Sequence, residues 1–125
     1  MPPKIEQLST ELAGVPVILD QKVVGYFLFK LSATIDRRKV APAIVDLHPY
    51  LSNAGFRASY EFAARGTLKV RGEDVQALTR RVAELANEAL GEASVVGVQV
   101  EQFNFARNNE VRRKISTVVF TPVVG

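Results

Sequence analysis

His48, the only histidine in the chain, is the side chain best suited to proton transfer near neutral pH. It stands in the stretch Asp46-Leu47-His48-Pro49-Tyr50, where a carboxylate and a phenol are close in sequence and could assist general acid–base chemistry. A helix is expected here, and residues two apart on a helix do not face each other. A lone histidine near a helix end is more often a surface or capping residue, so we predict no catalytic residue.

Other catalytic and ligand-binding patterns are missing from the sequence. No serine stands in a Gly-x-Ser-x-Gly context, and the absence of cysteine removes disulfides, thiolate zinc sites and cysteine nucleophiles. Gly66 and Gly72 flank residues 67–71 without forming a dinucleotide-binding or phosphate-loop motif. The pair Glu73-Asp74 suits a helix start better than a metal site. We predict no metal, no cofactor and no enzymatic activity.

Two basic clusters stand out from an otherwise even composition. Arg37-Arg38-Lys39 precedes a predicted helix, whose free N–H groups attract anions, so a phosphate could bind there. Arg112-Arg113-Lys114, together with Arg107, would make the tip of a predicted hairpin positive, as a β-ribbon on a nucleic acid requires. The alternative is that both are solvated loops whose charges protect edge strands from unwanted pairing. The predicted anion or nucleic-acid contacts are Arg37, Arg38, Lys39, Arg107, Arg112, Arg113 and Lys114.

Length and composition indicate one globular domain. The chain has 125 residues, of which 47% are hydrophobic and 23% charged, so we expect a single domain over residues 1–125. Its net charge of +3 is small for a dedicated nucleic-acid coat protein. Residues 1–8 lack the apolar run of a secretory signal, and the longest apolar stretch, 23–29, is too short to span a bilayer. We therefore expect a cytoplasmic protein, or one within a virion, with no membrane partner.

The first two-thirds of the chain contain several runs that predict strands. Residues 15–19 and 23–35 are rich in Val, Ile and Phe, and the short polar segment 20–22 between them predicts a hairpin. Residues 56–64 alternate between apolar and polar side chains, which is typical of a half-buried strand. Residues 67–71 either form another strand after a turn at Arg65-Gly66 or continue the same strand past a bulge.

The C-terminal third predicts two long strands, residues 95–106 and 111–119, joined by a turn that contains Asn108-Asn109. The apolar positions in 95–105 change from even to odd numbers along the strand. Either a bulge near Glu101-Gln102 explains this change, or a neighbouring subunit buries the second face.

Three segments predict helices. Residues 72–90 have one apolar stripe, an acidic first turn and Gly91 after the last turn. Residues 41–48 predict a second helix that ends near Pro49, because proline fits only the first turn of a helix. Residues 4–13 predict a short N-terminal helix that stops at Gly14.

Together these elements predict an α+β fold in two layers. We expect a mainly antiparallel sheet of five or six strands with two main helices on one face, plus the short N-terminal helix. If Arg65-Gly66 is a turn, the central order becomes βαββαβ, the ferredoxin-like arrangement. Such a fold hosts many functions and does not itself indicate one.

Our leading hypothesis is a non-enzymatic assembly or interaction protein that forms a homo-oligomer or joins a larger complex. Its long strands and C-terminal hairpin would provide the contacts, as in a ring, a tube or a virion structural component. The alternative is a nucleic-acid-binding module that uses the basic β-hairpin. An enzyme or small-ligand binder would instead need a pocket, for which the candidate lining residues are Tyr26, His48, Tyr50 and Glu61.

Overall fold

A four-stranded antiparallel sheet and two helices make up the part of the chain that this computed structural model describes, residues 5–66, 68–91 and 93–108. The strands are β1 (Ile5–Ser9), β2 (Ala13–Leu19), β3 (Lys22–Asp36) and β4 (Val95–Arg107). A 3₁₀ turn (Arg37–Lys39) follows β3, and helices α1 (His48–Ala63) and α2 (Gly72–Leu90) precede β4. The α+β class and the antiparallel sheet are therefore confirmed.

The 15-residue strand β3 is the centre of the sheet. It pairs with β4 on one side over Gly25 to Ile35, and with β1 and β2 on the other. Because β4 occupies one side along nearly the whole strand, β1 and β2 must lie end to end along the opposite side. The sheet therefore has three rows, of which the middle one is β3.

The edge row made by β1 and β2 behaves as one strand interrupted by a bulge. Ser9 opposes Ser32 and Ala13 opposes Phe29, so three edge residues, 10–12, face only two residues of β3, 30 and 31. Thr10 keeps the ladder closed here, because its N–H donates to the Leu31 carbonyl at 2.8 Å and its Oγ1 accepts from the Leu31 N–H at 3.0 Å. The bulge is thus a fixed feature of this edge.

Strand β4 contains a bulge at Glu101, which is one of the two explanations that the sequence left open. Gln102 opposes Lys30 and Val100 opposes Leu31, which leaves Glu101 without an opposing residue. This extra residue keeps Val100 and Phe103 packed against the same core, despite their different parity. The change of apolar phase is therefore explained by the bulge.

The core lies between the sheet and the helices. Phe27, Phe29 and Leu31 of β3 are at most 1% exposed. Phe27 stacks on Phe103 of β4 with ring centroids 5.3 Å apart, and Phe62 of α1 meets the edges of both at 5.2 Å. Aromatic contacts of this geometry add to the stabilisation from burial, so they fix α1 against the middle of the sheet.

Helix α1 corrects two predictions. It begins at His48, so residues 41–47 precede it rather than forming a helix, and it continues through residues 56–63, where we predicted a strand. Pro49 lies in the first turn, a position where its missing N–H costs nothing, and so it marks the start of the helix instead of its end. The apolar residues at 56, 58, 60 and 62 satisfy a strand period, but Leu51, Ala58 and Phe62 also fall at helical spacing and are buried.

Gly55 explains why the segment 53–55, which resembles a helix stop, lies inside a helix. A Cβ at this position would come within 2.5 Å of Leu31 Cδ1 and 2.8 Å of Phe29 Cε2. Glycine therefore allows the backbone of α1 to approach the sheet closely, and its cost to helix propensity is offset by this packing.

Helix α2 has the predicted bounds, and two polar contacts fix its ends. The Asp74 carboxylate accepts a hydrogen bond from the Arg71 N–H at 2.8 Å, which satisfies a free donor at the start. Near its end, Asn87 Oδ1 accepts from the Val95 N–H at 2.8 Å and so attaches the helix to β4. Its acidic first turn, Glu73 and Asp74, complements the helix dipole.

Several expectations about the strands are wrong for the described residues. The N-terminal segment forms β1 and not a helix, because pairing with the end of β3 satisfies backbone groups that a short isolated helix could not compensate. The described part of residues 67–71 is not a strand, so α1 and α2 are consecutive and the order is βββααβ, not the ferredoxin-like one. The described sheet accordingly has four strands rather than five or six, and the predicted strand 111–119 lies outside the described residues.

The close approach at Gly55 predicts a measurable loss of stability. Gly55→Ala should lower the free energy of unfolding relative to Gly72→Ala by about 1–3 kcal/mol, because the added methyl overpacks the core at position 55 but has open space at position 72. Urea denaturation of the two variants measures this difference. Equal stabilities would show that α1 can move away from the sheet without cost.

Candidate functional site

The first basic cluster is largely engaged with neighbouring oxygen atoms. The Asp36 carboxylate accepts from Arg38 Nε at 3.2 Å, from Arg38 Nη2 at 3.1 Å and from the Arg38 backbone N–H at 3.1 Å. Arg37 donates to the Val45 carbonyl at 2.7 Å and lies 3.8 Å from Glu6 Oε2. Lys39 is exposed and makes no ion pair with a described residue. Two of the three cations are therefore already neutralised locally.

The charges of this cluster explain one pKa shift. Hydrogen bonds from the Arg38 side chain hold the pKa of Asp36 below its ordinary value of 3.8, against the opposing effect of burial. The side chain of Asp36 is only 7% exposed, so the pair is a built part of the turn that ends β3.

Arg107, the described member of the second predicted cluster, lies far from the first cluster. Arg107 is exposed at the end of β4, opposite Gly25, while Arg112, Arg113 and Lys114 lie outside the described residues. Arg37 follows the other end of β3, so twelve strand positions separate it from Gly25, which corresponds to roughly 40 Å. Arg107 and the first cluster therefore lie at opposite ends of the sheet and do not form one surface.

His48 is in direct contact with Asp46, contrary to our expectation. Because the helix begins at His48, Asp46 lies in the preceding loop, and its Oδ1 accepts from the His48 N–H at 3.1 Å and lies 3.0 Å from His48 Nδ1. These contacts lower the pKa of Asp46 from its ordinary value. Both side chains are more than half exposed, and they stabilise the start of α1.

The four residues proposed for a ligand pocket are not brought together. Tyr26 packs with Leu28 in a small second cluster apart from the main core. Glu61 instead binds Arg81 between the two helices, through contacts of 2.7 and 3.0 Å. This bidentate pair lowers the pKa of Glu61 and joins α1 to α2, so it has a structural explanation.

His48 does line a cleft, but with different partners. The cleft has a volume of about 490 Å³ and opens where the edge row bulges between β1 and β2, beside α1. Its lining includes the buried side chains of Phe29, Phe56 and Thr10, whereas Glu11 and Ser52 are exposed. The complete lining is Ser9, Thr10, Glu11, Leu12, Ala13, Phe29, His48, Ser52, Asn53 and Phe56. Sequence patterns did not indicate this cleft, because its walls come from three separate segments.

At the opposite end of β2, the β2–β3 hairpin carries an exposed apolar tip. We define the tip as residues 18–23, in which Ile18 is 50%, Leu19 40% and Val23 37% exposed. Asp20 and Gln21 have positive φ angles of 51° and 65°, as a tight two-residue hairpin turn requires. The predicted hairpin is confirmed, and its turn presents aliphatic side chains to solvent.

The face of the sheet away from the core is polar where β1, β3 and β4 lie side by side. A shallow trough of about 650 Å³ runs along it, and its polar lining residues are Gln7, Ser9, Ser32, Thr34, Gln99 and Glu101. The amides and hydroxyls among them can donate and accept hydrogen bonds. The Glu101 carboxylate lies 3.9 Å from Lys30 Nζ.

Comparisons with known proteins do not add a family to these observations. No protein-family model, curated protein or solved structure matches this chain. Within the described residues, no group of His, Cys, Asp or Glu side chains is arranged to hold a metal ion. The helices of the described part are each too short or too polar to cross a membrane.

The pairing of Asp36 with Arg38 predicts a pH-dependent loss of stability in Asp36→Asn. Since the folded pKa of Asp36 is depressed, the pair contributes stability above pH 3.8 that is lost as the pH falls through the folded pKa. The melting temperature of the variant should therefore be below that of the wild type at pH 7, and the two should converge at low pH. Thermal unfolding from pH 7 to pH 2 checks this, with Asp20→Asn as the exposed control. A gap that persists at pH 2 would exclude this pairing as the cause.

Proposed function

We propose that this chain is a non-enzymatic assembly or interaction protein that associates with copies of itself, as a component of a ring, a tube or a virion. The observation that supports the proposal is where its apolar side chains are exposed. The large hydrophobic residues that are at least one-third exposed in the described part are Ile5, Ile18, Leu19, Val23, Val45 and Val96. All except Val45 lie in the sheet, and none lies in α1 or α2.

This distribution matters because both helices bury their own apolar stripes efficiently. The strand ends, in contrast, keep aliphatic groups in water, at a cost of about 25 cal/mol per Å² of exposed apolar surface. Single exposed aliphatic residues are common, but Ile18, Leu19 and Val23 lie on one hairpin, where Ile18 opposes Val23. Burial of such a group by another protein surface lowers the free energy of the complex.

The edges of the sheet support the same proposal. The row formed by β1 and β2 has β3 as its strand partner on one side, and among the described residues no strand covers its other side. The C-terminal hairpin that we predicted as a further contact lies largely outside the described residues. The support for self-association therefore comes from the exposed residues and the open edge of the described strands.

The proposal predicts a discrete oligomer that survives salt. Light scattering during size exclusion should give a mass that is a fixed multiple of 13.7 kDa both in low salt and in about 0.5 M salt. The salt shortens the range of charge interactions but does not weaken apolar burial, so an apolar interface should persist. A 13.7 kDa monomer in both salts, even at high protein concentration, would contradict the proposal.

Nucleic-acid binding is the second candidate, and the exposure of Arg107 and Lys39 without ion pairs to described residues favours it. Changing Arg112, Arg113 and Lys114 to Ala should then weaken binding to every DNA or RNA sequence alike. The slope of log affinity against log salt should also decrease by about one for each phosphate that the variant no longer neutralises. Fluorescence anisotropy measures both quantities, with Arg80→Ala on the exposed face of α2 as the control. Unchanged affinity and slope would exclude this candidate.

A further inference from the structure

We propose that the tip of one copy inserts into the cleft of a second copy, so that the chains associate head to tail. This inference rests on the proposed function and specifies its interface. The tip is residues 18–23, and the cleft is the 490 Å³ space beside the edge bulge.

The two surfaces match in polarity, because both are largely apolar. The tip is a narrow two-residue turn flanked by Ile18, Leu19 and Val23, which are 37–50% exposed. The cleft is large enough for a group of small-molecule size, and its apolar lining residues are Leu12, Ala13, Phe29 and Phe56. Insertion therefore places the aliphatic groups of the tip against an apolar lining and removes them from water, together with the exposed parts of Leu12 and Ala13.

Charges at the two rims are also complementary. Lys22 is exposed on the tip, and Glu11 is exposed on the rim of the cleft. Within the described residues, neither takes part in an ion pair. An intermolecular Lys22–Glu11 pair contributes modestly to affinity, but it favours one orientation of the inserted hairpin.

The distance between the tip and the cleft within one chain makes the contact intermolecular. Ala13 lines the cleft and Leu19 belongs to the tip. Both residues are in β2, where six strand positions, about 20 Å, separate them. Because β2 is held along β3, the tip cannot fold back into its own cleft. A second copy is the occupant that supplies both the apolar turn and the lysine.

The head-to-tail direction of this contact determines which assemblies it can form. In the head-to-tail arrangement the tip and the cleft of each copy engage two different neighbours, so the interface is heterologous: it forms a closed ring where the rotation per copy closes and a filament where it does not. In a symmetric two-fold dimer, two copies would instead insert their tips into each other's clefts reciprocally.

Mixing two blocked variants tests the inference directly. The tip variant is Ile18→Ser with Leu19→Ser, and the cleft variant is Ser52→Arg, which places a large side chain at the cleft from an exposed position on α1. Each variant alone should have a mass of 13.7 kDa, because one half of the contact is blocked. An equimolar mixture should give a dimer of twice that mass that does not grow, because only one intact tip and one intact cleft remain available to each other.

Matched controls separate this contact from general effects of the substitutions. Val45→Ser removes an aliphatic side chain that is 78% exposed outside the tip, and Gln76→Arg adds the same large cation on the exposed face of α2. Both should retain the wild-type mass. If the wild type is an oligomer and the tip and cleft variants keep its mass, the head-to-tail contact is wrong although self-assembly stands. If the wild type is a monomer, the proposed function itself fails.

A charge exchange gives a second test that does not alter buried residues. Lys22→Glu and Glu11→Lys should each weaken self-association by roughly two- to five-fold in low salt, as expected for an exposed ion pair. The double variant should recover most of the affinity, because it restores opposite charges across the interface. Sedimentation equilibrium measures the dissociation constants, and the absence of recovery in the double variant would overturn the assigned pairing of tip and cleft.

Discussion

The structure depends on the pairing of β3 along both of its edges. This strand contributes several of the most deeply buried residues of the core, and every other strand in the described part pairs with it directly. A strand buried in this way must have all its backbone groups satisfied, so it requires a continuous row on each side. β4 supplies one row alone, whereas the other row is divided between β1 and β2.

That division creates the features with functional interest. An edge row that must match 15 residues of β3 needs both a hairpin turn at one end and an adjustment of register along its length. The turn becomes the tip, and the adjustment at residues 10–12 becomes one wall of the cleft. The length of β3 also keeps Arg107 away from the Arg37-Arg38-Lys39 turn, so these described basic residues do not form one patch.

The sequence predicts those elements that are determined by neighbouring residues, and it fails for those that are determined by contacts between distant segments. The bounds of α2 and the β2–β3 hairpin follow from apolar spacing and turn residues, and both predictions are confirmed. Residues 56–62 have a pattern compatible with either a strand or a helix, and the packing of Gly55 against Leu31 and Phe29, which lie more than twenty residues away, decides in favour of the helix. The cleft could not be predicted for the same reason, because no local pattern shows that the 9–13 segment and α1 face each other.

The bulges in β4 affect the tendency of this strand to aggregate. Val96 and Glu101 interrupt the regular pairing of this 13-residue strand, and its longest uninterrupted stretch runs from Gln102 to Arg107. A long flat strand would be a template for amyloid growth, in which identical segments stack in register. Each extra residue locally kinks and twists the backbone, which disrupts the regular in-register stacking that a fibril needs. The same irregularity that keeps Val100 and Phe103 in one core therefore also protects a valine-rich strand against fibril formation.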